Sequence, residues 1–158
     1  PQGWTALVLA GQRPGVDRLA AHFGREAKAL IPVAGEPMLA RVVRALADAP
    51  QVARIIIMAQ DASALVTDPA VAKAAGDTRI DARRSGRTIS GSVLDAVNDP
   101  AIGLPVLVTT ADNVMLTPAT IAEFLAAAGA GDVGVAMVER GNLESAVGPN
   151  RRTWLTFR

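Results

Sequence analysis

The 158-residue chain contains no cysteine, which excludes disulfides, thiolate metal sites and thiol redox chemistry and fits a cytoplasmic location. It contains a single histidine, His22, so a Ser-His-Asp triad has little to build on. Charge of one sign is also lacking. Sixteen Lys and Arg face fifteen Asp and Glu, a net charge of +1, and no global field points to a nucleic-acid or anionic-membrane partner. Mean hydropathy is positive at +0.28, but it comes from alanine and valine spread throughout, and no apolar run approaches the roughly 20 residues that span a bilayer. Internal repeats, low-complexity tracts and linkers are absent. The opening residues do not carry the basic, apolar, small-residue pattern of a secretory leader, so a start at Pro1 is expected to reflect processing or trimming.

Half of the residues are hydrophobic, enough for one substantial core, and a single domain over residues 1–158 is expected. Val, Ile and Leu gather in short runs bounded by Gly, Pro and Asp, and these runs alternate with Ala-rich segments of helical spacing. Buried strands are expected at residues 4–10, 53–59, 104–110 and 133–139, with a further one at 78–82. Helices are expected at 37–49, 63–66, 70–75, from Thr88 or Ser90 to Val97, and from Pro118, capped by Thr117, to a stop at Gly129. Trp4 and Trp154 read as strand residues. Near-continuous apolar strands separated by helices imply an α/β fold of three αβα layers with a mostly parallel central sheet, whose ligands bind beyond the carboxyl ends of the strands. The loops after Ala10, Ala59, Ala82 and Thr110 are therefore the functional ones. The strand-like stretch 153–158 closes the chain without a helix cap or polar tail. The expectation is an N-terminal portion whose C-terminal remainder is absent.

The loop after the first strand is the most informative. Ala10 and Gly11 leave room for a ligand to approach backbone N–H groups, and Arg13, Arg18, Arg25 and Lys28 follow. A Walker A loop is excluded, because only three residues separate Gly11 from Gly15 and no lysine follows. A dinucleotide fingerprint fits poorly, since Glu26 comes too early and Asp61 too late for the ribose-binding acid. A solvated arginine-rich surface loop is the plain alternative. Asp112 stands just past the strand 104–110, where a carboxylate suits Mg²⁺ and where aspartate also serves as a cap or turn former. Ser90, Gly91 and Ser92 open a helix after Arg83, Arg84 and Arg87, a place for an anion or simply a capped helix.

The residues Leu9-Ala10-Gly11, then Arg18-Leu19, then KALIPVAGEPML at 28–39, resemble the signature of nucleotidyltransferases with the Rossmann-like GT-A fold. These include the molybdenum-cofactor guanylyl- and cytidylyltransferases and the sugar-1-phosphate nucleotidyltransferases. The resemblance covers roughly residues 9–39 closely and the rest more loosely. It implies that Ala10, Gly11, Gln12, Arg13 and Gly15 line the nucleotide, that Ser90 and Gly91 lie against the base, that Arg18 and Lys28 act catalytically on the triphosphate, and that Asp112 holds Mg²⁺. Two departures stand out: Gln12 replaces the second glycine of the pattern, and the turn from Gly11 to Arg18 is longer. Val114 stands where the second acid of a glycosyltransferase Asp-x-Asp would be. Glu139 and Glu144 are the candidates for a second metal ligand, with surface carboxylates the plainer reading. The activity implied is Mg²⁺-dependent transfer of an NMP unit from an NTP to a small phosphorylated acceptor, with release of pyrophosphate. A non-catalytic nucleotide-binding module, or a glycosyltransferase on the same fold, is the alternative.

Overall fold

The computed structural model describes residues 3–12, 15, 17–129, 131–149 and 154–155. They form two compact units, one running to Ala122 and the other from Glu123 onward. In the first unit, β1 (Trp4–Leu9) lies at the centre of a four-stranded parallel sheet. It pairs on one side with β4 (Val52–Ala59) and on the other with β6 (Val106–Thr110), and β5 (Arg79–Arg84) flanks β4. The remaining pieces of this unit are α1 (Arg18–His22), a 3₁₀ turn at Lys28–Leu30, a two-strand hairpin of β2 (Pro32–Val33) and β3 (Glu36–Pro37), α2 (Met38–Ala47), α3 (Ala62–Val66), α4 (Pro69–Ala75) and α5 (Ile89–Val97). The boundary between the units falls within α6 (Pro118–Ala128).

The strand order β5-β4-β1-β6 means that successive crossovers run outward from β1 to β5 and then return past β1 to β6. Because parallel crossovers are right-handed, the outward helices cover one face and the return helix covers the other. Side chains alternate across each strand, so neighbouring residues of β1 and β4 feed opposite layers. Leu7, Ile56 and Met58 pack with Ala96 of α5 and with Ile102, joined by Leu9 and Val106. Ile55 and Ile57, fully buried on the other face, lie under α2, which contacts β4. The expected three-layer architecture is thus present, and the central strands β1 and β4 are buried on both faces over most of their length, which explains their near-continuous apolar runs.

Helix α2 shows how sequence spacing produces this packing. Leu39, Val42, Val43 and Leu46 repeat at helical period and all are buried, whereas Arg44 is exposed and pairs with Glu36. Leu46→Ala removes a fully buried side chain from an interface between a helix and a sheet that cannot fully collapse. The expected cost is about 2–5 kcal/mol, read as a lower urea midpoint at unchanged slope.

Several boundaries differ from the sequence expectations. β5 runs to Arg84 rather than Ala82, because Ala59 and Arg84 continue the ladder with β4 and Ser85 N–H still bonds to the Ala59 carbonyl at 2.9 Å. Thr88, not Ser90, caps α5: its hydroxyl accepts from Gly91 N–H at 3.1 Å. Thr117 accepts from Thr120 N–H at 3.1 Å and caps α6 as expected. The strand expected at 133–139 is not formed. Val133, Val135, Met137 and Val138 are exposed and have no ladder partner among the described residues. Alternating apolar residues supply strand propensity, but a strand exists only through its ladder. In the same second unit, residues 140–147 instead make α7 (Arg140–Val147), held by an Arg140–Glu144 ion pair at 2.8 Å. Trp154 lies outside any strand, with the Arg140 guanidinium 5.6 Å from its ring centre. No described helix is long and apolar enough to cross a membrane.

Candidate nucleotide site

The carboxyl ends of all four parallel strands open into one cleft of about 850 Å³, within the size range of small-molecule sites. Its floor is Leu9, Ala10 and Met58, and its walls come from the loops after β1, β4, β5 and β6. The tip of β1 is fixed because Ala10 N–H bonds to the Met58 carbonyl at 2.9 Å and Ala111 N–H bonds to the Leu9 carbonyl at 3.0 Å. Gly11 follows, facing Gln60 and Ser85. A Cβ there would lie 3.3 Å from Gln60 Oε1 and 3.6 Å from Ser85 Oγ, so a side chain would press into the polar corner that glycine leaves open.

Lys28 and Asp112 meet in this cleft. The 3₁₀ turn Lys28–Leu30 presents the lysine, and the turn after β6 presents the aspartate. Lys28 Nζ lies 2.8 Å from Asp112 Oδ2, with the two side chains 42% and 49% exposed. The other oxygen, Asp112 Oδ1, accepts from the Thr110 hydroxyl at 2.7 Å. The Lys28 ammonium, then the Thr110 hydrogen bond, hold the Asp112 carboxyl below the usual aspartate range; it is a carboxylate throughout the neutral range.

Arg84 and Arg87 line the opposite wall with no acidic partner among the described residues. Arg83, the alternate residue of β5, turns away to Asp99 at 2.6 Å. Beyond Arg84, Ser85 Oγ is buried without a hydrogen-bond partner. Ser92, buried on the first turn of α5, accepts from Gly86 N–H and donates to the Thr88 carbonyl, both at 2.8 Å. These bonds fix the bend from β5 into α5.

The structure therefore brings Ala10, Gly11, Gln12, Lys28 and Asp112 together. Arg18, the exposed first residue of α1, and exposed Gly15, at φ +102°, do not line the cleft. Arg13 lies outside the described residues. Ser90 is exposed and, like Gly91, is not among the lining residues; Thr88, Ile89 and Ser92 take that wall instead. Gln60, Ser85 and Thr110 were not singled out from the sequence. Gln60 was discoverable as the first polar residue after a buried strand, and Ser85 was displaced from view by a strand end placed two residues early. Glu144 is occupied by Arg140, and His22 stacks edge-on with Phe23 at 5.2 Å, away from the cleft lining.

The donor set can be tested against Mg²⁺. No group of three or more His, Cys, Asp or Glu side chains converges among the described residues. A single half-exposed carboxylate opening into a cationic cleft suits Mg²⁺, which needs only one or two carboxylates when phosphate oxygens and water complete its shell.

Order β5-β4-β1-β6 with a cleft at the carboxyl edge that Lys28, Arg84 and Arg87 line defines a doubly wound, Rossmann-like α/β domain. More narrowly, the model of the MobA-like NTP transferase domain matches residues 6–154, and the chain belongs to that family. Among solved structures, a hypothetical transferase from Thermus thermophilus is 24% identical with a TM-score of 0.64, over 96% of this chain and 58% of that one. A nucleotidyl transferase from Methanothermobacter is also 24% identical, with a TM-score of 0.56, over 78% and 57%. The 4-diphosphocytidyl-2C-methyl-D-erythritol synthase of Anaerococcus prevotii is 15% identical with a TM-score of 0.60, over 89% and 60%. The chain thus spans about three fifths of the length of these structures. Curated protein sequences contain no match.

Proposed function

We propose that this chain carries the NTP site of a nucleotidyltransferase that moves an NMP unit onto a small phosphorylated acceptor. The observation that supports it most is the meeting of Lys28 and Asp112 at 2.8 Å above the carboxyl ends of β1 and β6, a cation for phosphate beside a carboxylate for a metal. In the reaction, an anionic oxygen of the acceptor phosphate forms a bond to the α-phosphorus. The bond from that phosphorus to the bridging oxygen breaks in line, and pyrophosphate leaves with the electron pair. No protein nucleophile is required. Gly11 gives the nucleotide close approach, and Lys28 neutralises charge that grows on the leaving pyrophosphate, where a preformed cation costs no reorganisation. Arg18, on the helix that packs beside the Lys28 turn, is assigned to the outer phosphates. Asp112, held by Thr110, is the residue that would carry Mg²⁺, and the cation would supply further neutralisation of phosphate charge. Ser90 and Gly91, between the lining residues Ile89 and Ser92 in sequence, are assigned to the base, and a cytoplasmic location, where NTPs are supplied, goes with this reading.

The test joins thermal shift with each NTP, with and without Mg²⁺, to a pyrophosphate-release assay over a panel of sugar and polyol phosphates. A preferred NTP at a hundred times its Kd should stabilise the fold by about 2.7 kcal/mol, and one acceptor should release pyrophosphate. Stabilisation by nucleoside diphosphate sugars, with none by NTPs, would replace this reading with glycosyl transfer. Binding without release from any acceptor would leave a nucleotide-binding module.

A further inference from the structure

Gln12 makes contacts that a glycine at its position could not make. Its side-chain Nε2 donates to the Glu26 carbonyl at 3.2 Å, and its Oε1 accepts from Lys28 N–H at 3.3 Å. Its own N–H donates to Gln60 Oε1 at 3.1 Å. The carbonyl of residue 26 and the N–H of residue 28 flank Ala27, which is extended at φ −118°, ψ 134°. Those two groups are the pair that a neighbouring parallel strand would engage opposite one residue. The Gln12 amide therefore takes the place of a strand's peptide group and ties the segment leading into Lys28 to the end of β1. The Gln60 contact anchors the other side of the same bracket to the end of β4.

The need for it lies in the loop. Gln12 and Lys28 lie 16 positions apart in the sequence, so a direct hydrogen bond between them closes a long loop. Gln12 bypasses that loop. We propose that Gln12 is a positioning residue, which holds the main chain of Lys28 so that its ammonium reaches the phosphate site beside Asp112. The role in turnover rests on the nucleotidyltransferase reading; the bracket itself does not.

The experiment measures backbone amide exchange at Lys28 by NMR, together with kcat/KM for pyrophosphate release. It compares wild type, Gln12→Ala, Gln12→Met, Lys28→Ala and the Gln12→Ala/Lys28→Ala double variant. Gln12→Met keeps the length of the side chain and removes both hydrogen bonds. Either Gln12 variant should speed exchange at Lys28 by about tenfold, the scale of one lost hydrogen bond, with exchange at Leu7 unchanged. Each should lower kcat/KM by about tenfold, and the loss should vanish in the Lys28→Ala background because the two residues act through one group. Unchanged Lys28 exchange in both variants overturns the proposal, as does a full additive loss in the double variant. If the wild-type protein transfers no nucleotide, the reaction assignment falls and the exchange result alone decides whether the bracket holds Lys28.

Discussion

Lys28→Ala is expected to lower pyrophosphate release by about 100- to 1,000-fold, the range found when one preorganised charge-stabilising group is removed, while the protein stays folded. The two halves of that expectation come from different properties of the residue. Lys28 and Asp112 are each nearly half exposed, so water already screens their attraction and the pair is worth about 1 kcal/mol or less to folding. During turnover the same ammonium would face a bound polyphosphate with water displaced, and its interaction with growing charge would be far larger. Lys28→Arg should recover only part of the rate, because a planar fork on a longer stem does not place its charge where the ammonium sits. The measurements are kcat at saturating NTP and the midpoint of thermal unfolding. Near-wild-type kcat in Lys28→Ala would remove the residue from the chemistry.

Asp112→Asn should cost at least about 100-fold in turnover and should also abolish the gain in NTP affinity that Mg²⁺ confers. Asparagine keeps the shape of the side chain and its oxygen can still accept from the Thr110 hydroxyl, which sits 2.7 Å from Asp112 Oδ1. What disappears is the negative charge, and with it the anionic oxygen ligand that Mg²⁺ takes from a carboxylate. Calorimetric titration of NTP with and without Mg²⁺ would show the wild-type difference collapse in the variant. A variant whose NTP affinity still rises with Mg²⁺ would mean that the cation is held elsewhere.

The layers and most strands were legible in the sequence because burial on both faces of a parallel sheet leaves a plain trace, as in the apolar run of β4. Helix α2 was legible for the related reason that one of its faces is dry. The cleft was legible where it depends on local chain: Ala10 and Gly11 follow β1 directly. Lys28 and Asp112 were named through a family resemblance; that they form one ion pair, 84 residues apart, is a product of the β1–β6 pairing. Ser85 and Ser92 were less legible, since their roles depend on where β5 stops, and an edge strand half open to solvent carries a weaker pattern than a buried one. The stretch 133–139 shows the converse error: apolar alternation reports what a segment could pair as, and pairing needs a partner.

The Lys28–Asp112 pair has a consequence for which ligands can enter. Each group neutralises the other in the salt bridge, so a ligand that separates them is favoured when it compensates both charges. A bare triphosphate would satisfy Lys28 and leave Asp112 facing like charge, whereas a lone divalent cation would do the reverse. A nucleotide that arrives with its cation answers both, and linkage then requires each component to tighten the other's binding. A pair this exposed biases the cleft by about 1 kcal/mol or less, and the bias would favour a matched pair of opposite ions over either one alone.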